Sequence, residues 1–299
     1  MTNHDSMMPD FVVIGAMKCA TSSLHDQLDR QTGISMSDPK EPNFFSDGPN
    51  FAKGMDWYRA LFASMPTGDL KGESSTHLTK YPVHPDSAKR LHESLPDAKL
   101  IYVMRDPIKR IVSQYIHEWS QHTISTDINL AIREHTRLIA YSSYAMQIEK
   151  YTELYDRAQV LPVFFERLMA EPQAEVERIC AFIGYKGNGQ WESESGAQNT
   201  SQQPQRRSAR LNAVLDVPMV KTLRRALMPE SLRSRIKSRW TMKGKPEFTN
   251  ESLEYLCEQL DPDLNTLGMM VGRGLSCSMY NDAVVQGESP EWVDAGAVR

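Results

Sequence analysis

Four strand-like runs, three of them apolar, are each followed by a stretch of helical periodicity, and this alternation most constrains how the chain can fold. The apolar runs are Phe11–Ile14, Lys99–Met104 and Gln159–Phe165, and Leu70–Glu73 is a shorter strand candidate between the first two. The stretches that follow them, residues 20–30, 84–95, 107–121 and 172–183, repeat apolar side chains every three or four positions, as amphipathic helices do. Alternating strands and helices predict an α/β fold with a mainly parallel sheet and helices on both faces. Pro162 disfavours a central position for the fourth run.

The rest of the chain predicts an extension of the same unit. Residues 187–205 are polar and rich in Gly, Ser and Gln, which indicates a long loop. Basic helical segments follow, and then an amphipathic helix at roughly residues 249–260. We therefore expect one domain over residues 1–299, with its core at about 10–185 and a basic, helical part at 206–299.

Charge is concentrated in one segment. Residues 206–245 hold 12 Lys and Arg but only 2 acidic residues, in a chain whose net charge is −4. This excess favours an anionic partner, such as a glycan or a lipid surface with peripheral membrane contact, although a solvated helix surface is an equal alternative. Nothing in the pattern favours nucleic acid.

Cysteine usage and the first residues bear on location. Cys19, Cys180, Cys257 and Cys277 are scattered without a CxxC pair, so we expect free thiols in a reducing cytoplasm. Residues 1–10 lack the basic and apolar regions of a signal peptide. No apolar run approaches the roughly 18 residues that a membrane span requires. These features predict a cytoplasmic protein.

The first apolar run ends in a loop suited to an anion. Gly15 to Ser23 lie between a strand and a helix, where backbone N–H groups and the helix dipole favour phosphate. A nucleoside-triphosphate loop of the Walker type would need lysine immediately before the Thr or Ser, but Ala20 precedes Thr21 here and the lysine is Lys18. The loop therefore predicts phosphate binding and argues against an ATPase or GTPase.

A second anion motif follows the third run directly. Arg105 stands at the carboxyl end of the predicted strand, and Pro107 suits the first turn of a helix. Ser113 follows almost two turns into that helix, so an arginine and a hydroxyl can hold one phosphate from two sides.

These two segments resemble the phosphate-binding motifs of sulfotransferases. VIGAMKCATSSL is similar to the family's 5′-phosphosulfate loop, with Ala20 where the family usually has Gly, and RDPIKRIVSQY matches its 3′-phosphate signature RxPxxRxxSxY. The resemblance implies a P-loop-like fold and the co-substrate 3′-phosphoadenosine-5′-phosphosulfate (PAPS). It implies that Lys18 meets the bridging oxygen, that Arg105 and Ser113 hold the 3′-phosphate, and that Arg110 forms a structural ion pair. The implied 5′-phosphate loop comprises Gly15, Lys18, Cys19, Ala20, Thr21, Ser22 and Ser23.

Two further segments resemble the bacterial and glycosaminoglycan-type branch of that family. Lys40 begins KEPNFF, like the branch's KEPxFF, and Gly72-Glu73-Ser74-Ser75 is similar to its GE-[KS]-[ST]-P, with Thr76 in place of the Pro. The resemblance implies that Glu73 is the base that takes the acceptor proton. Lys40 is implied near the sulfuryl group, and a surface lysine is the alternative.

Histidines offer alternative bases. His77 or His117 is positioned in sequence to replace or assist Glu73, since His117 lies one turn after Ser113. His117 and His122 superficially resemble a zinc HExxH motif. They are five residues apart, however, and cannot share a metal as an i, i+4 pair does. We predict no metal site.

The sequence thus predicts a sulfotransferase that moves a sulfuryl group from PAPS to an acceptor hydroxyl or amine by in-line transfer. A carbohydrate or glycolipid acceptor is expected from the resemblance to the KEPxFF branch. Two alternatives remain at this point: a P-loop-type nucleotide kinase or NTPase, and a nucleotide- or glycan-binding protein without catalysis.

Overall fold

The computed structural model describes residues 7–192, 242 and 244–293, which include a five-stranded parallel sheet. The strands are β1 (Phe11–Gly15), β2 (Ile34–Met36), β3 (Leu70–Ser74), β4 (Lys99–Met104) and β5 (Val160–Phe164). Their order is β2-β3-β1-β4-β5, and all four pairings are parallel. The predicted parallel α/β fold is confirmed.

Strand position follows from composition. Residues 11–14 of β1 and 100–104 of β4 are wholly buried, as expected for central strands covered on both faces. β5, which contains Pro162, forms one edge of the sheet. Proline has no backbone N–H to donate, and an edge strand tolerates this because one of its sides has no neighbouring strand. β2 was not predicted, because three residues are too few to show a period.

Helices connect the strands as the periodicity predicted. They are α1 (Thr21–Asp29), α2 (Gly48–Phe51), α3 (Met55–Ala60), α4 (Ser87–Ser94), α5 (Pro107–Ser120), α6 (Ile128–Glu134), α7 (Arg137–Ala140), α8 (Tyr144–Thr152), α9 (Phe165–Ala170), α10 (Pro172–Ile183), α11 (Asn250–Met270) and α12 (Tyr280–Val285). Short 3₁₀ turns lie at Thr76–Thr79 and Arg157–Gln159. The sequence patterns identified α1, α4, α5 and α10, but they did not mark α8, which is as long as α1, or the helices of four to seven residues.

The helix predicted at residues 249–260 is longer than expected. Thr249 caps α11 by accepting a hydrogen bond from the Ser252 N–H, and the helix continues through Pro262 to Met270. Buried leucines at 256, 260, 264 and 267 lie on one side across the proline. The free energy gained by burying these leucines is larger than the cost of the backbone hydrogen bond that Pro262 cannot make.

Part of the C-terminal prediction lies outside the described residues. This holds for the basic segment 206–245, except residues 242, 244 and 245, and for residues 193–205 of the predicted loop. Residues 190 and 192 are anchored, because their N–H groups donate to the Gln31 and Gln27 side chains. The single-domain organisation stays a prediction. Among the described residues, no helix is both long and apolar enough to cross a membrane.

Candidate active site

Three loops leave the sheet at the same edge. β1 lies between β3 and β4, all three parallel, so the segments after Gly15, Ser74 and Met104 emerge side by side. Ligands in open α/β sheets bind at this edge. The sheet therefore brings the two phosphate motifs and the Glu73 segment together, as the sequence predicted.

Gly15 begins the first loop because nothing larger fits. A β-carbon at this position would lie 1.9 Å from the Thr79 Oγ1. The Thr79 hydroxyl donates to the Ile14 carbonyl at 2.9 Å, so it cannot withdraw without losing that bond. The absence of a side chain at Gly15 thus lets the end of β1 lie directly against the 3₁₀ turn that follows β3.

The loop itself turns through left-handed backbone. Lys18 has φ 72°, and Ala20, the residue before α1, has φ 59° and ψ 23°. This conformation explains why the family usually has glycine at the position of Ala20. Cys19 is wholly buried, and burial raises the pKa of its thiol to about 12, so the thiol stays neutral at pH 7.

The first turn of α1 supplies the predicted hydroxyls. Thr21 is buried, Ser23 is half-buried and Ser22 is exposed. The first backbone N–H groups of a helix have no partner within it, and they carry the positive end of the helix dipole. This end of α1 can therefore bind an anion.

Arg105 joins the two phosphate motifs. Its Nη1 donates to the Lys18 carbonyl at 3.1 Å, and its guanidinium lies 4.6 Å from the centre of the Phe165 ring. Its Nε is buried without a hydrogen-bond partner among the described residues. Burial and the nearby Arg105 charge both lower the pKa of Lys18. Two cations held this close favour an anion between them.

The helix after Arg105 begins as predicted. Asp106 caps α5 by accepting from the Lys109 N–H at 2.9 Å, and Pro107 occupies the first turn. Ser113 and His117 are half-buried on this helix. Burial, followed by the charges of Lys18 and Lys80, lowers the pKa of His117, which indicates that its imidazole is near the loop and neutral at pH 7.

Arg110 is structural, but the predicted ion pair is wrong. The side chain is wholly buried and donates to the Ser142 hydroxyl at 2.5 Å, the Gln114 amide oxygen at 2.7 Å and the Leu138 carbonyl at 2.7 Å. These acceptors are neutral. Arg110 fixes α5 against the chain around α7, and its Nη1 is buried without a hydrogen-bond partner among the described residues.

Glu73 is wholly buried at the end of β3. The Tyr58 hydroxyl donates to its Oε2 at 2.8 Å, and its Oε1 has no hydrogen-bond partner among the described residues. Burial raises the pKa of Glu73 to about 7, although the Tyr58 hydrogen bond acts to lower it. A carboxylate with this pKa can exchange a proton near neutral pH.

The contacts of Thr76 explain why this chain has threonine where the related motif has proline. Its backbone N–H donates to the Glu41 Oε2 at 2.9 Å, and its hydroxyl lies 3.1 Å from both carboxylate oxygens. Proline would make neither contact. The Lys40 Nζ donates to the Glu41 Oε1 at 2.8 Å, so Lys40 is ion-paired and partly exposed rather than free. Sequence reasoning missed Glu41, although its adjacency to Lys40 is visible in the motif.

The sequence analysis named His77 but missed Lys80 and His84, which form a basic cluster with it beside the 3₁₀ turn. The rings of His77 and His84 stack with centroids 5.0 Å apart. Burial lowers the pKa of Lys80 to about 8, and burial together with the Lys80 charge lowers the pKa of His77 to about 4. His77 is therefore neutral at pH 7, and its lowered pKa makes it a weak base. No spacing in the sequence distinguishes these residues from surface histidines.

One cavity in the described part of the chain lies away from this sheet edge. It measures about 600 Å³ and is lined by α10 and the residues after it (Gln173, Glu177, Ala181, Tyr185, Gly187, Asn188, Gly189 and Gln190). None of the predicted site residues lines it.

Known sulfotransferases are similar to part of this chain in sequence. Human bifunctional heparan sulfate N-deacetylase/N-sulfotransferase 2 is 27% identical over 198 residues, covering 59% of this chain and 22% of that protein. Mouse heparan sulfate glucosamine 3-O-sulfotransferase 3B1 is 30% identical over 189 residues, covering 60% and 47%. The chain thus spans less than half the length of these relatives.

A solved bacterial structure shares the fold. The sulfotransferase from Alicyclobacillus acidocaldarius superposes with a TM-score of 0.61 at 23% identity, covering 89% of this chain and 97% of that one. The family profile described as the sulfotransferase domain matches residues 8–268, which include both phosphate motifs and the Glu73 segment. This protein belongs to the sulfotransferase domain family.

Proposed function

We propose that this protein transfers a sulfuryl group from PAPS to a hydroxyl or amine of a carbohydrate or glycolipid acceptor. The observation that carries the proposal is the hydrogen bond from Arg105 to the Lys18 carbonyl, which links the two segments that resemble phosphate motifs, and membership of the sulfotransferase domain family supports it. The relatives named for heparan sulfate support a glycan acceptor. Family membership does not favour the kinase or NTPase alternative.

The nucleotide end of the site binds two phosphates. The loop from Gly15 to Ser23 holds the 5′-phosphate with backbone N–H groups and hydroxyls, while Arg105 and Ser113 hold the 3′-phosphate. Lys18 lies on the bridging oxygen, where negative charge develops as the S–O bond breaks. The burial that lowers its pKa also strengthens its attraction to that charge.

On the acceptor side, Glu73 removes the proton as the new S–O or S–N bond forms. Its raised pKa supports this role, and its Oε1, buried without a hydrogen-bond partner among the described residues, is the oxygen that would accept the proton once an acceptor hydroxyl reaches it. His117 and His77 are the alternative bases. Lys40, held by Glu41, neutralises charge on the sulfuryl oxygens. The transfer requires no metal, since positioning and charge stabilisation supply the rate.

The remaining expectations extend this proposal. The basic segment 206–245 contacts an anionic glycan or a lipid surface rather than nucleic acid, and the protein works in the cytoplasm. A salt-sensitive affinity for acidic oligosaccharides that is lost when the segment's arginines are neutralised would support the first of these points.

The direct experiment uses sulfur-labelled PAPS and three acceptors: N-deacetylated heparan sulfate, a neutral oligosaccharide and a small phenol. We expect labelled glycan and stoichiometric adenosine 3′,5′-bisphosphate. ATP turnover without sulfonation would instead favour the kinase or NTPase alternative. Tight binding of the bisphosphate with no product from any acceptor would favour a binding protein.

A further inference from the structure

A cluster of metal-ligating side chains lies outside the site just described. Cys257 and Asp261 are on α11, and Cys277 is in the segment between α11 and α12. The two sulfur atoms and one carboxylate oxygen all lie within 4.8 Å of one another. None of the phosphate motifs includes these residues. Cys277 is far from the other two in sequence, so spacing alone does not mark the cluster.

The cluster is held by the fold. Residues four apart on a helix share a face, so Cys257 and Asp261 project side by side. The Cys277 N–H donates to the Asp261 Oδ1 at 2.7 Å, which fixes the third residue against the helix. Cys277 also packs against both hydrophobic clusters of the described structure. All three side chains are half-buried, so solvent can reach the site while the ligand positions stay fixed.

The chemistry of the three groups favours a soft cation. Both cysteines are free thiols. None of the ion pairs between described residues involves Asp261. Two thiolates and a carboxylate suit Zn²⁺ rather than Mg²⁺ or Ca²⁺, which prefer oxygen ligands alone. Zinc–sulfur bonds of about 2.3 Å and zinc–oxygen bonds of about 2.1 Å place such ligands roughly 4 Å apart. The observed spacing needs only a small contraction.

We propose that Cys257, Asp261 and Cys277 bind one Zn²⁺ ion, or a similar thiophilic divalent cation, with water as the fourth ligand. On binding, each thiol releases its proton to solvent, and no oxidant or reductant is involved. The ion links α11 to the segment leading into α12, so its role is to stabilise the fold. The proposal does not depend on the transfer reaction.

Cobalt provides the test, because Co²⁺ bound to thiolates absorbs strongly in the near ultraviolet and visible. The reduced, full-length protein is titrated with Co²⁺ and then with Zn²⁺. We expect saturation at one equivalent, bleaching by Zn²⁺, and a Zn²⁺-dependent rise in Tm. Cys257→Ala, Cys277→Ala and Asp261→Asn should each weaken binding by more than about tenfold. Asp261→Asn keeps an oxygen for the Cys277 N–H.

Cys180→Ala is the matched control, since it removes a buried thiol from α10 and should leave the cobalt signal unchanged. Alkylation mapping of the wild type needs no variant, and Zn²⁺ should protect Cys257 and Cys277 selectively. Absorption that persists in the Cys257→Ala/Cys277→Ala double variant, or a wild type without thiolate absorption, would overturn the proposal. A Cys257–Cys277 disulfide in the protein purified without reductant would overturn it as well.

Discussion

Ala20→Gly tests the backbone strain in the loop before α1. Ala20 has φ 59°, and left-handed backbone costs a residue with a β-carbon about 1–2 kcal/mol. Glycine removes that cost, but it also raises the conformational entropy of the unfolded chain. This stabilises the unfolded state by about 0.4–1 kcal/mol and offsets part of the gain. The methyl group is only half-buried, so its loss changes little packing. We expect the variant to be more stable than the wild type by about 0.5–1 kcal/mol.

The assay is urea unfolding followed by circular dichroism, with thermal unfolding as a second measure. The stability gain corresponds to a Tm rise of about 2 °C for a chain of this size. Ala52→Gly is the matched control, because Ala52 is exposed with φ −65° and ψ −14°, so glycine there should destabilise by about 0.5–1 kcal/mol. Equal destabilisation in both variants would refute the strain argument.

Three further changes probe binding, proton transfer and the core. Arg105→Ala should weaken adenosine 3′,5′-bisphosphate binding by about tenfold to hundredfold in calorimetry, because a charged hydrogen bond is worth about 1.5–3 kcal/mol; unchanged affinity would exclude the 3′-phosphate role. Tyr58→Phe removes the hydrogen bond that lowers the pKa of Glu73, so the acidic limb of the pH–rate profile should move to higher pH. Glu175→Ala should destabilise by about 3–5 kcal/mol in urea, because Glu175 is wholly buried and pairs with Arg167 and Arg178 at 2.9 and 3.1 Å, whereas the exposed neighbour Glu177→Ala should change little.

The predictable part of the structure is the part that short segments encode. Strand, loop and helix follow one another within residues 11–30 and again within 99–121, so apolar runs and turn chemistry identified both phosphate motifs. The parallel sheet then brought them to one edge, as the fold class required.

What the sequence did not reveal depends on contacts between distant segments. Tyr58 reaches Glu73 from α3, and Cys277 reaches α11 from the following segment, without any local pattern. The end of α11 was predicted too early, whereas the leucine spacing continues beyond Pro262 to Leu267. Arg110 was assigned an ion pair because sequence cannot distinguish a buried arginine with neutral acceptors from a paired one.

The most direct test of the central claim is the pH dependence of kcat/KM for sulfonation, compared between the wild type and Glu73→Gln. A general base must be ionised, so wild-type activity should rise with pH and level off above about pH 7, the pKa to which burial raises Glu73. Glu73→Gln should bind adenosine 3′,5′-bisphosphate normally, lose about 10²–10⁴-fold in turnover and show no such limb. Near-normal turnover with the limb intact would contradict the account and move the base to His77 or His117.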